Sequence, residues 1–167
     1  MISDKIQNAL NEQLNAEFYA AYLYLAMSAY FQSINLGGFA TWMRAQAGEE
    51  LMHGMKVYDF INDREGDIDL KEVKSPSMKW DGPLAAFEYA YEHERGVSAR
   101  INHLVDLSLE ERDHATNTFL QWFVTEQVEE EATAHEIVHK LKLVGNDGNG
   151  LFLLDRDMGQ RNADDEE

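Results

Sequence analysis

The stretch GFATWMRAQAGEELMHGMKVYDF, residues 38–60, decides the fold. Phe39, Met43, Val57 and Phe60 recur at helical spacing, so the segment reads as a helix with one face in a core. In its middle, at EELMH (49–53), that face carries Glu50 and His53, one turn apart. Gln46 lies one turn earlier on the same stripe. A carboxylate and an imidazole on a core face are costly unless something compensates them.

Working outward, three more long periodic segments appear. The first runs from about Ser3 to Gln32, with Ser3 as N-cap and Ile6, Leu10, Ala20, Tyr24, Met27 and Phe31 as its stripe. The segment around 38–60 extends from about Leu36 to Asn62. The third starts near Asp81–Pro83, with Leu84, Phe87, Tyr91, Ser98, Ile101 and Val105 on its stripe. The fourth runs from about Asp113 to Val144, with Leu120, Phe123, Ala134, Ile137 and Leu141, and Gly145 ends it. Residues 34–38 and 108–113 are short connections, so the helices pair as two antiparallel hairpins. Residues 64–80 join the pairs by a segment long enough to travel the length of a bundle, with a strand-like patch inside it. Residues 150–160 predict a short fifth helix, and 161–167 a disordered tail. All of 1–167 reads as one domain.

Each of the four stripes is broken by polar residues at one depth. Helix one passes through Gln13 and Glu17, helix two through Gln46, Glu50 and His53, helix three through Glu94, and helix four through Gln127 and Glu130. These positions lie near the helix midpoints, and midpoints meet in a bundle whichever way each helix runs. The side chains therefore converge in the core, where several carboxylates need a counter-charge. Protonation supplies it in part, and a pair of divalent cations supplies it more completely. An oxygen-rich set with a single imidazole suits iron or manganese better than structural zinc or calcium.

Composition agrees. The chain has 167 residues, 44% hydrophobic, with 31 acids against 14 bases and a net charge of −17. Nucleic acid and anionic membranes are disfavoured as partners because their phosphates would be repelled, whereas cations are attracted. The absence of cysteine excludes disulfides and thiolate metal centres. No apolar run reaches membrane-spanning length and no secretory leader is visible, so the expected location is cytoplasmic.

The stretches NEQLNAEFYAAYLYLAMSAYF, GFATWMRAQAGEELMH, YEHE, FLQWFVTEQVEEEA and LFLLDRD resemble the prokaryotic non-haem ferritins of the 24-subunit type. The resemblance covers essentially the whole chain. It implies an all-α, ferritin-like four-helix bundle with one long crossover and a short C-terminal fifth helix. It implies a first iron site at Glu17, Glu50 and His53. Glu50 would bridge to a second site with Glu94 and Glu130, and Gln127 would lie beside the pair. A third iron site is implied at Glu49, Glu126, Glu129 and Glu130. Tyr24 resembles the family's tyrosine beside the centre, and Trp122 a nearby aromatic. The implied activity is ferroxidase chemistry: Fe(II) oxidised by dioxygen or hydrogen peroxide, and ferric oxide stored inside a homo-oligomeric shell. The apolar residues of 151–154 would meet at fourfold contacts.

The symmetric di-iron pattern has Glu-x-x-His on two helices. Here helix four offers Gln127-x-x-Glu130 instead. Haem-binding bacterioferritins carry both Glu-x-x-His pairs and a methionine directly after the bridging glutamate. Leu51 occupies that place and Met52 is one residue late, so no haem is predicted.

Overall fold

The structure, a computed structural model, describes residues 2–161. It contains α1 (Asp4–Ser33), α2 (Gly37–Asp63), α3 (Pro83–Glu110), α4 (His114–Val144) and α5 (Gly148–Met158). No strand occurs among the described residues. No described helix is long and apolar enough to cross a membrane.

Local chemistry sets most of the helix ends. The Ser3 hydroxyl accepts from the Ile6 amide at 3.3 Å, and Asp113 accepts from the Thr116 amide at 3.0 Å. Gly145 takes φ 55° and closes α4. Gly82, not Asp81, is the N-cap of α3, and no side chain caps it; Pro83 follows as the first helical residue. The fifth helix begins at 148 rather than about 150, because Asp147 accepts from the amides of Asn149 and Gly150. α2 has no side-chain cap of its own. Asp155 on α5 supplies one, accepting from the Phe39 amide at 2.9 Å. The two backbones approach so closely that a Cβ on Gly38 would lie 1.6 Å from the Asp155 carbonyl oxygen.

The ends also show how the bundle is strung. Arg64 at the end of α2 grips Asp113 at the start of α4 with two contacts of 3.1 Å. Lys5 on α1 meets Glu110 and Glu111 at the end of α3. The Gly82 amide donates to the Tyr30 hydroxyl near the end of α1 at 3.0 Å. Hence α1 and α2 are antiparallel, as are α3 and α4, and the crossover runs alongside α1.

The crossover forms no strand, although it is strand-like in one respect. Gln7, Asn11 and Asn15 stand one turn apart on α1 and bond the peptide groups of residues 67, 69 and 71. Asp67 donates to Gln7 at 2.9 Å, and Asn11 spans the Asp67 carbonyl (2.9 Å) and the Asp69 amide (2.8 Å). Asn15 spans the Asp69 carbonyl and the Lys71 amide, both at 2.7 Å. Side-chain amides thus play the part of a neighbouring strand.

Burial follows the sequence stripes in α1 and α4 throughout. In α2 the terminal Phe60 is half-buried, stacked on Phe119, and Ile61 takes the core place. α3 is rotated. Its buried face is Ala86, Phe87, Ala90, Glu94, Val97, Ile101 and Leu104, while Leu84, Tyr91, Ser98 and Val105 flank it half-buried. The small Ala86 and Ala90 let the helix approach its neighbours, and the larger side chains move to the sides. Glu94 belongs to both faces.

Two apolar cores result. One contains Leu23, Met27, Phe31, Phe39, Met43, Phe87 and Leu141, and the other Leu10, Leu14, Val57, Ile101, Leu120 and Phe123. Between them, along every helix, lie the polar interruptions. Arg161, assigned to the tail from sequence, instead reaches back to α2, because Glu49, Gln46 and Trp42 offer it partners. The remainder of that tail, 162–167, lies outside the described residues.

Candidate metal centre

Glu17, Gln46, Glu50, His53, Glu94, Gln127 and Glu130 are all buried, none more than 7% exposed. Ligand-capable atoms of Glu17, Glu50 and His53 lie within 4.8 Å of one another. Those of His53, Glu126 and Glu130 do so as well. Imidazole Nδ1 of His53 stands 3.5 Å from Glu50 Oε2. The edge of Trp122 and the ring of Phe123 flank the imidazole, with centroids at 5.3 and 6.1 Å.

Amides and one phenol orient the carboxylates. Gln13 Nε2 donates to Glu17 Oε1 at 2.6 Å, and Gln46 Nε2 donates to both oxygens of Glu130 at 2.8 Å. Gln127 Nε2 reaches Glu94 Oε2 at 3.3 Å and the Glu94 carbonyl at 3.2 Å. The fully buried Tyr24 donates its hydroxyl to Glu94 Oε1. Buried Glu17 Oε2 has no hydrogen-bond partner. Buried polar atoms are rarely left so, and an orphaned carboxylate oxygen beside a second carboxylate and an imidazole fits a metal ligand.

Electrostatics agree with the donor set. Burial, then the charge of Glu50, lifts the Glu17 carboxyl well above the ordinary range. Burial, then Glu94 and Glu130, does the same to Glu50. Glu94 is raised by burial, against the hydrogen bonds from Tyr24 and Gln127. Glu130 is pushed up to about 8 by burial and by Glu94. The Tyr24 hydroxyl is raised strongly, first by burial and then by Glu94. Raised carboxyls keep their protons to higher pH when no cation is near, and a cation that binds displaces those protons.

The remaining sequence candidates lie on the rim. Glu49 is 3% exposed and paired with Arg161. Glu126 is half-buried and reaches His53 and Glu130. Glu129 is exposed and joins neither ligand cluster, although it lines a hollow with Trp42, Glu126, Glu130, Thr133 and Arg161. Sequence patterning did not single out His93. Its ring sits edge-on to Tyr24 at 6.1 Å, burial holds its pKa down at about 4, and its Nε2 is unpartnered. Nor did it give a role to Gln46, whose amide ties α2 to Glu130 on α4.

A family model described as the ferritin-like domain matches residues 7–144. The chain is 46% identical over 161 residues to a bacterial non-heme ferritin of Bacteroides fragilis, covering 96% of this chain and 100% of that one. It is 37% identical over 166 residues to the bacterial non-heme ferritin of Staphylococcus aureus, covering 99% and 100%. Among solved structures, an open-pore ferritin from the hyperthermophilic archaeon Archaeoglobus fulgidus superposes with a TM-score of 0.96 at 54% identity, covering 97% of this chain and 100% of that one. A closed form of the same archaeal ferritin, engineered by site-directed mutagenesis, superposes equally well at 0.96, with 97% and 99% covered. With the bundle, the crossover and the short fifth helix all matched, the chain belongs to the ferritin family.

Proposed function

We propose that this ferritin stores and detoxifies iron by oxidising Fe(II) at the buried carboxylate centre. Glu17, Glu50 and His53 hold one ferrous ion, and Glu50, Glu94 and Glu130 a second, with Gln127 beside the pair. Glu49, Glu126, Glu129 and Glu130 form the inner site through which product iron passes. Two Fe(II) substrate ions each give one electron to dioxygen, which takes up two protons and becomes hydrogen peroxide; hydrogen peroxide can serve as oxidant in its turn. Protons displaced from the carboxyls as iron binds are available for that step. Tyr24 fixes the orientation of Glu94, and Trp122 shields His53 from one side.

The observation that carries this reading is four buried carboxyls gathered about one buried imidazole, at the depth where two apolar cores meet. Ferric oxide would accumulate within a 24-subunit cytoplasmic shell. Exposed Tyr22, Leu25 and Leu51, which line an apolar hollow between α1 and α2, favour subunit association. Phe152 and Leu153 on α5, 69% and 48% exposed, do likewise. The test is stopped-flow oxidation of anaerobically loaded Fe(II) by air. Two Fe(II) per subunit should oxidise rapidly in the unmodified protein and not in E50A. Equal rates in the two proteins would overturn the reading.

A further inference from the structure

Arg161 stands three residues beyond α5 and reaches across to α2. Its Nη2 donates to both oxygens of Glu49, at 2.8 and 2.6 Å, and its Nη1 donates to Gln46 Oε1 at 2.8 Å. The guanidinium carbon lies 4.6 Å from the centroid of Trp42. The ion pair is sheltered, with side chains 17% and 4% exposed. Gln46 spends its other end on the centre, donating to both Glu130 oxygens at 2.8 Å and to Glu50 at 3.3 Å. One guanidinium therefore occupies the carboxylate of Glu49 and fixes which way the Gln46 amide faces.

We propose that Arg161 is a displaceable internal counter-ion that closes the inner side of the metal centre. It rests on the function proposed above. One guanidinium nitrogen engages both oxygens of Glu49, so a ferrous ion binding there competes with that contact and is repelled by the guanidinium charge. A cation enters among Glu49, Glu126, Glu129 and Glu130 by exchanging with Arg161, which swings off Glu49. The exchange lowers the affinity of the inner position relative to the buried pair. It also links inner-site occupancy to Gln46, and through Gln46 to Glu130.

Anaerobic Fe(II) titration calorimetry on the assembled protein tests this in the unmodified chain, R161Q and R161K. Two tight ions per subunit should bind in all three. The third ion should bind about tenfold more tightly in R161Q. R161K keeps a charge but lacks the planar pair of nitrogens that serves Gln46 and Glu49 separately, so it should fall between. A purely packing role for Arg161 would change melting temperature without this graded, selective change in the third ion. Third-ion affinities equal within about twofold overturn the proposal while leaving the proposed function standing. Loss of the two tight ions from the unmodified protein would bring both down.

A different observation concerns α4 alone. His135 and His139, exposed and one turn apart, place their Nε2 atoms 3.1 Å apart, a hydrogen bond when one of the two rings carries its proton there and a spacing a shared ion would also give. Two imidazoles bound at about 2.0–2.1 Å stand about 3.3 Å apart around a tetrahedral ion and about 2.9 Å apart around an octahedral one. The observed spacing lies between these. Tyr91 packs against His135 with centroids 5.4 Å apart, and the pair borders a hollow of about 450 Å³ that Glu88 and Glu92 also line. Those carboxylates are engaged by Lys142 and Arg95, each at 2.9 Å, so water completes the shell. The geometry points to a nitrogen-rich surface site for a borderline divalent ion such as Zn(II), distinct from the oxygen-rich centre. Zn(II) calorimetry on the assembled protein should count one ion fewer per subunit in H139A. An anomalous-scattering peak should sit between the two rings in Zn(II)-soaked crystals of the unmodified protein. An unchanged count, or no peak there, refutes the site.

Discussion

Removing the charge of Glu130 should stabilise the metal-free protein, and should do so only at high pH. In the fold its carboxyl titrates at about 8, against an ordinary 4.5. Between those values the folded chain keeps a proton that the unfolded chain has released. The unfolded state therefore binds fewer protons, and stability falls as pH rises through the interval. That interval from 4.5 to about 8, at ~1.4 kcal/mol per pH unit, sets a ceiling of ~5 kcal/mol per subunit lost by pH 8. E130Q is uncharged at every pH and keeps an acceptor for Gln46. Its advantage over the unmodified protein should be close to zero near pH 4.5 and grow toward pH 8. For a chain of this size, about 2–4 °C per kcal/mol turns the ceiling into a difference of about 10–20 °C. Scanning calorimetry of both proteins in chelator, from pH 5 to 8, makes the measurement. Asp113 does not interfere. Burial lifts its carboxyl, hydrogen bonds from Arg64 and Thr116 more than reverse this, and its contribution is lost only as pH falls below 3.8. An E130Q advantage that is flat or shrinking from pH 5 to 8 would refute the reasoning. In saturating divalent metal the unmodified protein should reverse its slope and gain stability with pH, because the ion competes with protons.

Three further outcomes are expected. G38A should detach α5 from the bundle, since the new Cβ meets backbone at 1.6 Å and backbone cannot step aside; hydrogen exchange would show residues 148–158 losing protection while α1 keeps its own. Y24F should cost about 1–3 kcal/mol by leaving Glu94 Oε1 without its donor, and calorimetry at pH 7 would measure the loss. H53A should keep its fold, as the ring lies beside the partly exposed Trp122, but weaken anaerobic Fe(II) binding at least tenfold by equilibrium dialysis.

Periodicity made the centre legible because every helix crosses the core at its own midpoint. A polar residue on a stripe, at the right depth, has nowhere else to go. Glu17, Glu50, His53, Gln127 and Glu130 all follow from that rule. Glu94 survived an error of phase in α3 because it lies on the overlap of the expected and actual faces, whereas Tyr91 and Ser98 turned out to be flanking residues. Arg161 was not legible. Its partner Glu49 is 112 positions away, and a single arginine after a short helix has no pattern to mark it. The cap that Asp155 lends to α2 is equally silent, since capping rules look within one helix and not across two. His93 escaped for a related reason: it lies beside the stripe and meets Tyr24 only once α1 and α3 are packed.

The three amides on α1 act as a ruler laid along the crossover. Four helical residues advance about 6 Å, whereas two extended residues advance about 6.6–6.8 Å, so each graduation slips by about 0.7 Å. Two slips can be absorbed by side-chain rotation, but further marks would fall out of reach, and Tyr19 rather than another amide stands at the next graduation. One residue added within 67–71 would turn outward the peptide groups that the ruler reads and forfeit its bonds together. Residues added between Lys74 and Ser77, past the last mark, would meet no such gauge and would lengthen a surface segment at little more than the entropy of a longer loop.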